Sequence, residues 1–146
     1  MTREELLERY AAGERDFSGV DLEGVDLSNT ELGCIILRRA NLRQTNFRDS
    51  DLSGYWEKPH PKIYTDFREA NCCEADFSSS TIEVADFSNA ILTGANFSGA
   101  VLYRTWFTDA NLEDVNWSEC RAWRVIVEGA RLGKGLEGVI WTDWTR

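Results

Sequence analysis

Residues 86–112 read DFSNA ILTGA NFSGA VLYRT WFTDA NL, and the period of that stretch decides the fold. Phe87, Leu92, Phe97, Leu102, Phe107 and Leu112 form one row, and Ala85, Ala90, Ala95, Ala100, Thr105 and Ala110 form a second row two places earlier, so the pattern repeats every five residues. It runs without change of phase back to Phe17 and on to Leu132. On an α-helix, five residues advance about 500°, which leaves successive large residues about 140° apart and no apolar face. In a straight strand an odd spacing throws them onto alternate faces. One bend per pentad resolves both conflicts: the large residue and its small partner point inward and the other three point out. The chain is then a coil with flat sides, whose layers pair their backbones about 4.8 Å apart.

The aromatics suggest how many sides. All seven phenylalanines (Phe17, Phe47, Phe67, Phe77, Phe87, Phe97 and Phe107) occupy positions ending in seven, and Trp117 continues the row. A three-sided coil would spread a period of ten over every face. A four-sided coil keeps the rings on two opposite walls and leucine on the other two, which favours four sides and twenty residues per turn.

The motif A-(D/N)-(L/F)-X-X, present as Ala40-Asn41-Leu42, Ala70-Asn71-Cys72, Ala75-Asp76-Phe77, Ala85-Asp86-Phe87, Ala95-Asn96-Phe97 and Ala110-Asn111-Leu112, resembles that of the pentapeptide-repeat proteins. The resemblance implies an all-β fold, a right-handed quadrilateral β-helix. It implies no particular activity. Some members are acidic DNA mimics that bind and regulate DNA gyrase, so the resemblance makes gyrase the alternative partner here.

The expected organisation is a short α-helical cap over residues 1–13, a coil over 14–135 with an excursion at about 53–66, and a terminal tail over 136–146. Thr2 and Glu5 have capping-box spacing and Leu6, Leu7 and Tyr10 form a stripe. Such a helix closes the open end of a solenoid; a free partner-binding helix is the alternative. At the excursion, the inward positions would be Glu57 and Lys62, and Pro59 and Pro61 lack donors. Two unpaired buried charges are costly, so about ten residues should loop out between Leu52 and Phe67. A distorted half-turn that stays in the coil is the other reading. The tail carries Trp141 and Trp144, which would either cover the last coil or form a homodimer contact; monomer and homodimer both remain open.

Of 146 residues, 25 are acidic and 16 basic, a formal net charge of −9. That disfavours direct nucleic-acid binding, which needs clustered cations. Neither a signal-like nor a membrane-spanning apolar run is present, and the expected location is cytoplasmic. Cys34, Cys72, Cys73 and Cys120 lack metal-ligand spacing and there is one histidine, His60, so neither metal nor cofactor is expected. Asp and Asn recur one place before the large residue, where side-chain bonding to a turn is the structural role. Asp109 and Asp114 fall on outward corners, without the shielding a catalytic pair requires. The chain is therefore read as a non-catalytic protein-binding or scaffold module of unknown partner.

Two outward clusters depart from the polar surface. Arg38, Arg43, Arg48 and Arg68 would form a basic band on adjacent coils, or balance Glu69, Glu74 and Asp49. Tyr103, Arg104, Trp106, Arg121, Trp123 and Arg124 would meet near one corner as a candidate protein-binding surface. Tyr55, Trp56 and Tyr64 in the excursion join them as candidates.

Overall fold

The computed structural model describes residues 1–55, 63–133 and, as backbone, 140–141. Each pentad is a short extended segment followed by a turn. The carbonyl of the large inward residue accepts from the N–H three residues on, as in Ala40 to Leu37 at 3.1 Å and Ala90 to Phe87 at 3.0 Å. The residue before that N–H has positive φ, including Arg39 at 57°, Gln44 at 55°, Asn89 at 60°, Asp109 at 56° and Gly99 at 66°. Positive φ at the third position of a four-residue turn is the type II arrangement. It makes the bend the five-residue period demands.

The Asp or Asn before the large residue fixes the entry to each turn. Asp76 Oδ1 accepts from the Ser78 N–H at 2.9 Å, Asn96 Oδ1 from Ser98 at 3.0 Å and Asp16 Oδ1 from Ser18 at 3.0 Å. Thirteen such bonds are present among the described residues. The acidic periodicity is thus a row of turn acceptors.

Twenty residues close one turn of the coil. Parallel pairing joins Asp16 to Ile36, Asp21 to Asn41, Asp26 to Asn46 and Glu31 to Asp51, and these four pairs found the four walls. On the fourth wall pairing is continuous enough to give a four-stranded parallel sheet of β2 (Thr81–Glu83), β4 (Val101–Tyr103), β6 (Arg121–Trp123) and β8 (Ile140–Trp141). Two shorter sheets pair β1 (Thr65–Asp66) with β3 (Ala85–Asp86), and β5 (Asn111–Leu112) with β7 (Arg131–Leu132).

The rings occupy two walls and meet across the axis. Phe67 stacks on Phe87 at 4.4 Å and Phe87 on Phe107 at 5.1 Å; on the other wall Phe77 stacks on Phe97 at 4.8 Å and Phe97 on Trp117 at 5.0 Å. Rings of the two walls contact edge to face, Phe87 against Phe97 at 6.0 Å and 76°. Both geometries suit the ring quadrupole. Leu22, Leu42, Leu92 and Leu112 fill a third wall and Leu32, Leu52, Ile82 and Leu102 the fourth, all buried. Hydroxyls in the small slots are satisfied, with Thr45 Oγ1 donating to the Leu22 carbonyl at 2.8 Å and Ser50 Oγ to that of Leu27 at 2.8 Å.

Between the second and third coils the register lengthens to thirty: Ile36 pairs with Asp66 and Asn41 with Asn71. The backbone keeps coil register through Gly54, whose N–H donates to the Glu83 carbonyl at 2.6 Å, and regains it at Thr65, whose N–H donates to Val84 at 3.2 Å. Coil register is thus interrupted between Gly54 and Thr65, and there Tyr55 and Ile63 form an antiparallel bridge. Glu57 and Lys62 lie outside the described residues.

α1 (Arg3–Ala11) lies across the first coil. Thr2 caps it by accepting from the Glu5 N–H at 3.1 Å, and Leu6 is buried. The helix also serves carbonyls of that coil which have no coil beneath them. The Met1 amino group donates to Asp21 at 2.9 Å, Arg3 to Asp26 at 2.6 Å and to Ser28 at 3.1 Å, and the Tyr10 hydroxyl to Gly33 at 2.7 Å. At the other end burial of the large row fades earlier than the phase does. Val127 is only partly covered and Leu132 is 45% exposed, because among the described residues only β8 continues the stack beyond them. β8 extends the fourth wall alone, setting Ile140 beside Arg121 and Trp141 beside Ala122.

Candidate protein-binding surface

Register places Glu83, Tyr103 and Trp123 side by side at the end of the fourth wall. Their side chains must point outward, since Ile82, Leu102 and Ala122 between them and the wall's first residues point in and are buried. The Tyr103 and Trp123 rings lie 5.4 Å apart, tilted by 37°, and both are partly exposed. The next residues, Arg104 and Arg124, take the positive φ of the corner, 50° and 54°. Their guanidinium carbons lie 5.1 and 6.0 Å from the Tyr103 ring centre, within cation–π range. Arg124 Nη1 also donates to the Tyr103 hydroxyl at 3.4 Å. Arg121, two places before Trp123, is exposed on the same wall.

Trp106 stands apart from this group. It pairs with Asp86 below and Ile126 above, so it opens the next wall beyond the corner. The expected single cluster is therefore a corner group of Tyr103, Arg104, Arg121, Trp123 and Arg124, with partly exposed Trp106 around the bend.

The excursion adds a neighbour that linear spacing does not suggest. A groove of about 650 Å³ is lined by Gly54, Tyr55, Glu83, Val84, Tyr103 and Arg104 among others. Tyr55, 67% exposed, forms one rim and the Tyr103–Arg104 corner the other. The groove exists because the thirty-residue register brings the neck of the excursion against the coil bearing Val84. Gly54 allows that approach: a Cβ there would fall 2.5 Å from the carbonyl oxygens of both Ile63 and Val84. Val84 is a β-branched residue at φ 54°, a conformation such residues rarely adopt. Tyr64 is partly buried and lies under the Arg68 guanidinium, 5.3 Å from its ring centre. Trp56 lies outside the described residues, as does Trp144.

A second concavity of about 530 Å³ lies below the excursion between Tyr10, Arg15, Cys34 and Tyr55. Arg15 stacks on Tyr10, 3.8 Å from the ring centre. Burial pushes the Cys34 thiol above its ordinary range, partly opposed by Arg15. Cys72 is raised by complete burial, and burial pushes Cys120 up to about 12. The four thiols are unpaired.

The basic band is not a free cationic surface. Arg38 and Arg39 both bind Glu69, at 2.9 and 2.8 Å; Arg43 lies 3.7 Å from Glu23 and from Glu74; Arg48 lies 3.3 Å from Asp49. Arg68 holds buried Asp66 at 2.6 Å and approaches Asp86 at 4.0 Å. The two arginines hold Glu69 down to about 2, and the bonds to Asp66 raise Arg68. Asp109 and Asp114 are exposed corner residues at φ 56° and 57°. Among the described residues no His, Cys, Asp and Glu group could hold a metal, and no helix is long and apolar enough to cross a membrane.

None of the curated proteins matches the chain. Among solved structures, it is similar to the pentapeptide repeat protein Rfr23 of the cyanobacterium Cyanothece 51142, with 24% identity, 94% of this chain and 98% of that one covered, and a TM-score of 0.65. It is also similar to AT2G44920, a pentapeptide repeat protein from the Arabidopsis thaliana thylakoid lumen, at 23% identity, with 75% and 70% covered and a TM-score of 0.59. A more distant likeness links it to QnrB1, a plasmid-mediated fluoroquinolone resistance protein, at 17% identity, with 88% and 82% covered and a TM-score of 0.36; that likeness is too low to bear on function. The family model for pentapeptide repeats matches eight copies over residues 16–54, 63–94 and 84–116, well over half of the sequence. The chain belongs to the pentapeptide-repeat family.

Proposed function

We propose that this protein is a non-catalytic binding module that contacts another protein through the corner of Tyr103, Arg104, Trp123 and Arg124 and the adjoining groove up to Tyr55. One observation carries the reading: the Tyr103 and Trp123 rings lie 5.4 Å apart on successive strands while remaining partly exposed. Aromatic side chains held by a sheet lose little entropy on binding and give up a large apolar area to a partner. The four-walled coil keeps them fixed, so the surface is organised before contact. Unpaired thiols suit a reducing location such as the cytoplasm.

The gyrase reading rests on the repeat and the net charge, and the corner-slot carboxylates do not favour it. They accept from turn N–H groups and alternate with neutral asparagines along a wall, as in Asp26, Asn46, Asp76 and Asn96. A DNA mimic needs an unbroken rail of free negative charge. The test is affinity capture with the whole chain against the Tyr103→Ser/Trp123→Ser variant, alongside a gyrase supercoiling assay. Loss of a specific captured protein by about thirtyfold in affinity, the usual size of a two-residue aromatic hot spot, with unchanged melting, supports the corner. Equal capture by the variant overturns it. Inhibition of supercoiling that survives in the variant would favour the DNA-mimic reading.

A further inference from the structure

The cations of this chain are unevenly engaged. Arg3, Arg9, Arg38, Arg39, Arg43, Arg48 and Arg68 each lie within ion-pair distance of a carboxylate. Arg15, Arg121, Arg124 and Arg131 have no acidic partner within that distance among the described residues, although acidic residues outnumber basic ones by 25 to 16 in the sequence; Arg15 donates to the Tyr10 and Glu14 carbonyls, and of the other three Arg121 and Arg124 are the ones on the Tyr103–Trp123 corner. Both are exposed, Arg121 two places before Trp123 and Arg124 directly after it. In a chain with surplus carboxylates, cations with no ion pair among the described residues, beside partly exposed aromatics, mark a place where an anion from outside completes the pairing.

We infer that the corner of Arg121, Trp123, Arg124 and Tyr103 binds an acidic peptide segment of a partner protein, a deeper form of the protein-binding reading above and dependent on it. The lower groove sets the polarity. Glu83 sits one coil below Tyr103, and Asp51 and Glu83 line the groove toward Tyr55. Acidic side chains of the peptide therefore lie over the arginines, an aromatic or aliphatic residue lies against Trp123 and Tyr103, and the stretch running toward Tyr55 carries no acid. Backbone-tracking nucleic acid fits this less well, since the carboxylates of Glu83 and Asp51 would repel the next phosphates.

The experiment has two arms on the full chain. In the first, synthetic peptides of matched aromatic content carrying Glu or Lys at one end, a single-stranded oligonucleotide, and phosphatidylserine vesicles are titrated while tryptophan fluorescence is followed. The expected result is saturable binding of the Glu peptides, weakened by salt, and lost about tenfold or more in Arg121→Gln/Arg124→Gln and in Arg121→Glu/Arg124→Glu, the latter now taking the Lys peptides. Equal binding of Glu and Lys peptides overturns the inference, as does binding of the oligonucleotide or vesicles in their place. In the second arm an unbiased peptide library is selected on the wild type and on Tyr103→Ser/Trp123→Ser. Enrichment of acidic sequences by the wild type alone supports the inference. Corner-dependent sequences without acid overturn the acidic preference and keep the protein-binding reading; absence of any corner-dependent sequence overturns both.

Discussion

At the scale of the residue, the Asp/Asn slot combines two tasks. Each side chain takes a turn N–H with its Oδ1, and asparagine has an amide left to donate to the slot one coil below: Asn96 Nδ2 donates to Asp76 at 3.1 Å, and Asn116 Nδ2 to Asn96 at 3.1 Å. Asparagine therefore separates carboxylates that would otherwise stack at the spacing of paired strands. Where two aspartates do stack, Asp66 and Asp86, Arg68 binds the first and approaches the second. Asn96→Asp would place a second carboxylate above Asp76 and remove the donor that joins them. The expected cost is about 1 kcal/mol, the range for like charges directly opposed in a sheet, partly recovered at high salt; a chemical-denaturation midpoint identical to wild type at low salt would count against the ladder. Phe97 tests the core in the same way. It contacts Phe77, Phe87, Phe107 and Trp117, so Phe97→Ala should open a cavity that neighbours cannot close and cost about 3–5 kcal/mol. Its measurement is the shift in urea midpoint at constant slope.

At the scale of the element, the break in register between Gly54 and Thr65 predicts that the segment between them is separable from the coil. Deleting residues 55–64 joins Gly54 to Thr65 and gives LSGTDF, a regular pentad in which Thr65 takes the small slot, Asp66 the turn-acceptor slot and Gly54 the positive-φ corner, where a missing Cβ removes strain. The variant should fold cooperatively with a β-rich circular dichroism spectrum like that of the whole chain; an unfolded spectrum would show that the segment is needed to build the coil. The wall beside it also has an acid-sensitive clasp. Arg38 and Arg39 hold Glu69 at about 2, below the ordinary 4.5. A depressed carboxylate stabilises the fold above its unfolded pKa, and that contribution fades as pH falls through the folded value. Glu69→Gln should accordingly flatten the decline of melting temperature between about pH 4.5 and 2 and leave a melting temperature at pH 7 lower than wild type. Period and Phe placement made the walls legible in the sequence, because burial is dictated residue by residue along a thin core. The corner group was legible as outward aromatics; that Trp106 stands on the far side of the bend was not, since linear stacking does not say where a wall ends and the next begins. The groove was hidden because it depends on a thirty-residue register and on the approach of Gly54 to Val84, and neither leaves a periodic trace.

At the scale of the whole molecule, a stack of coils is close to one-dimensional: each layer is stabilised by the layers it touches, and an end layer must find a substitute. α1 is that substitute at the first coil. It covers Phe17, Leu22, Leu27 and Leu32, which are buried although no coil lies beneath them, and its side chains donate to the carbonyls of Asp26, Ser28 and Gly33. Removing residues 1–13 would expose that apolar layer together with a row of unpaired backbone acceptors, the combination that templates strand pairing between molecules. The truncated chain should melt at lower temperature and sediment as concentration-dependent oligomers, whereas Tyr10→Phe, which deletes one hydrogen bond and keeps the cover, should cost only about 1 kcal/mol and leave the sedimentation of the whole chain unchanged. A truncated chain that sediments like the whole chain and melts with it would mean that the first coil stabilises itself, and that the helix serves some purpose other than closing the end.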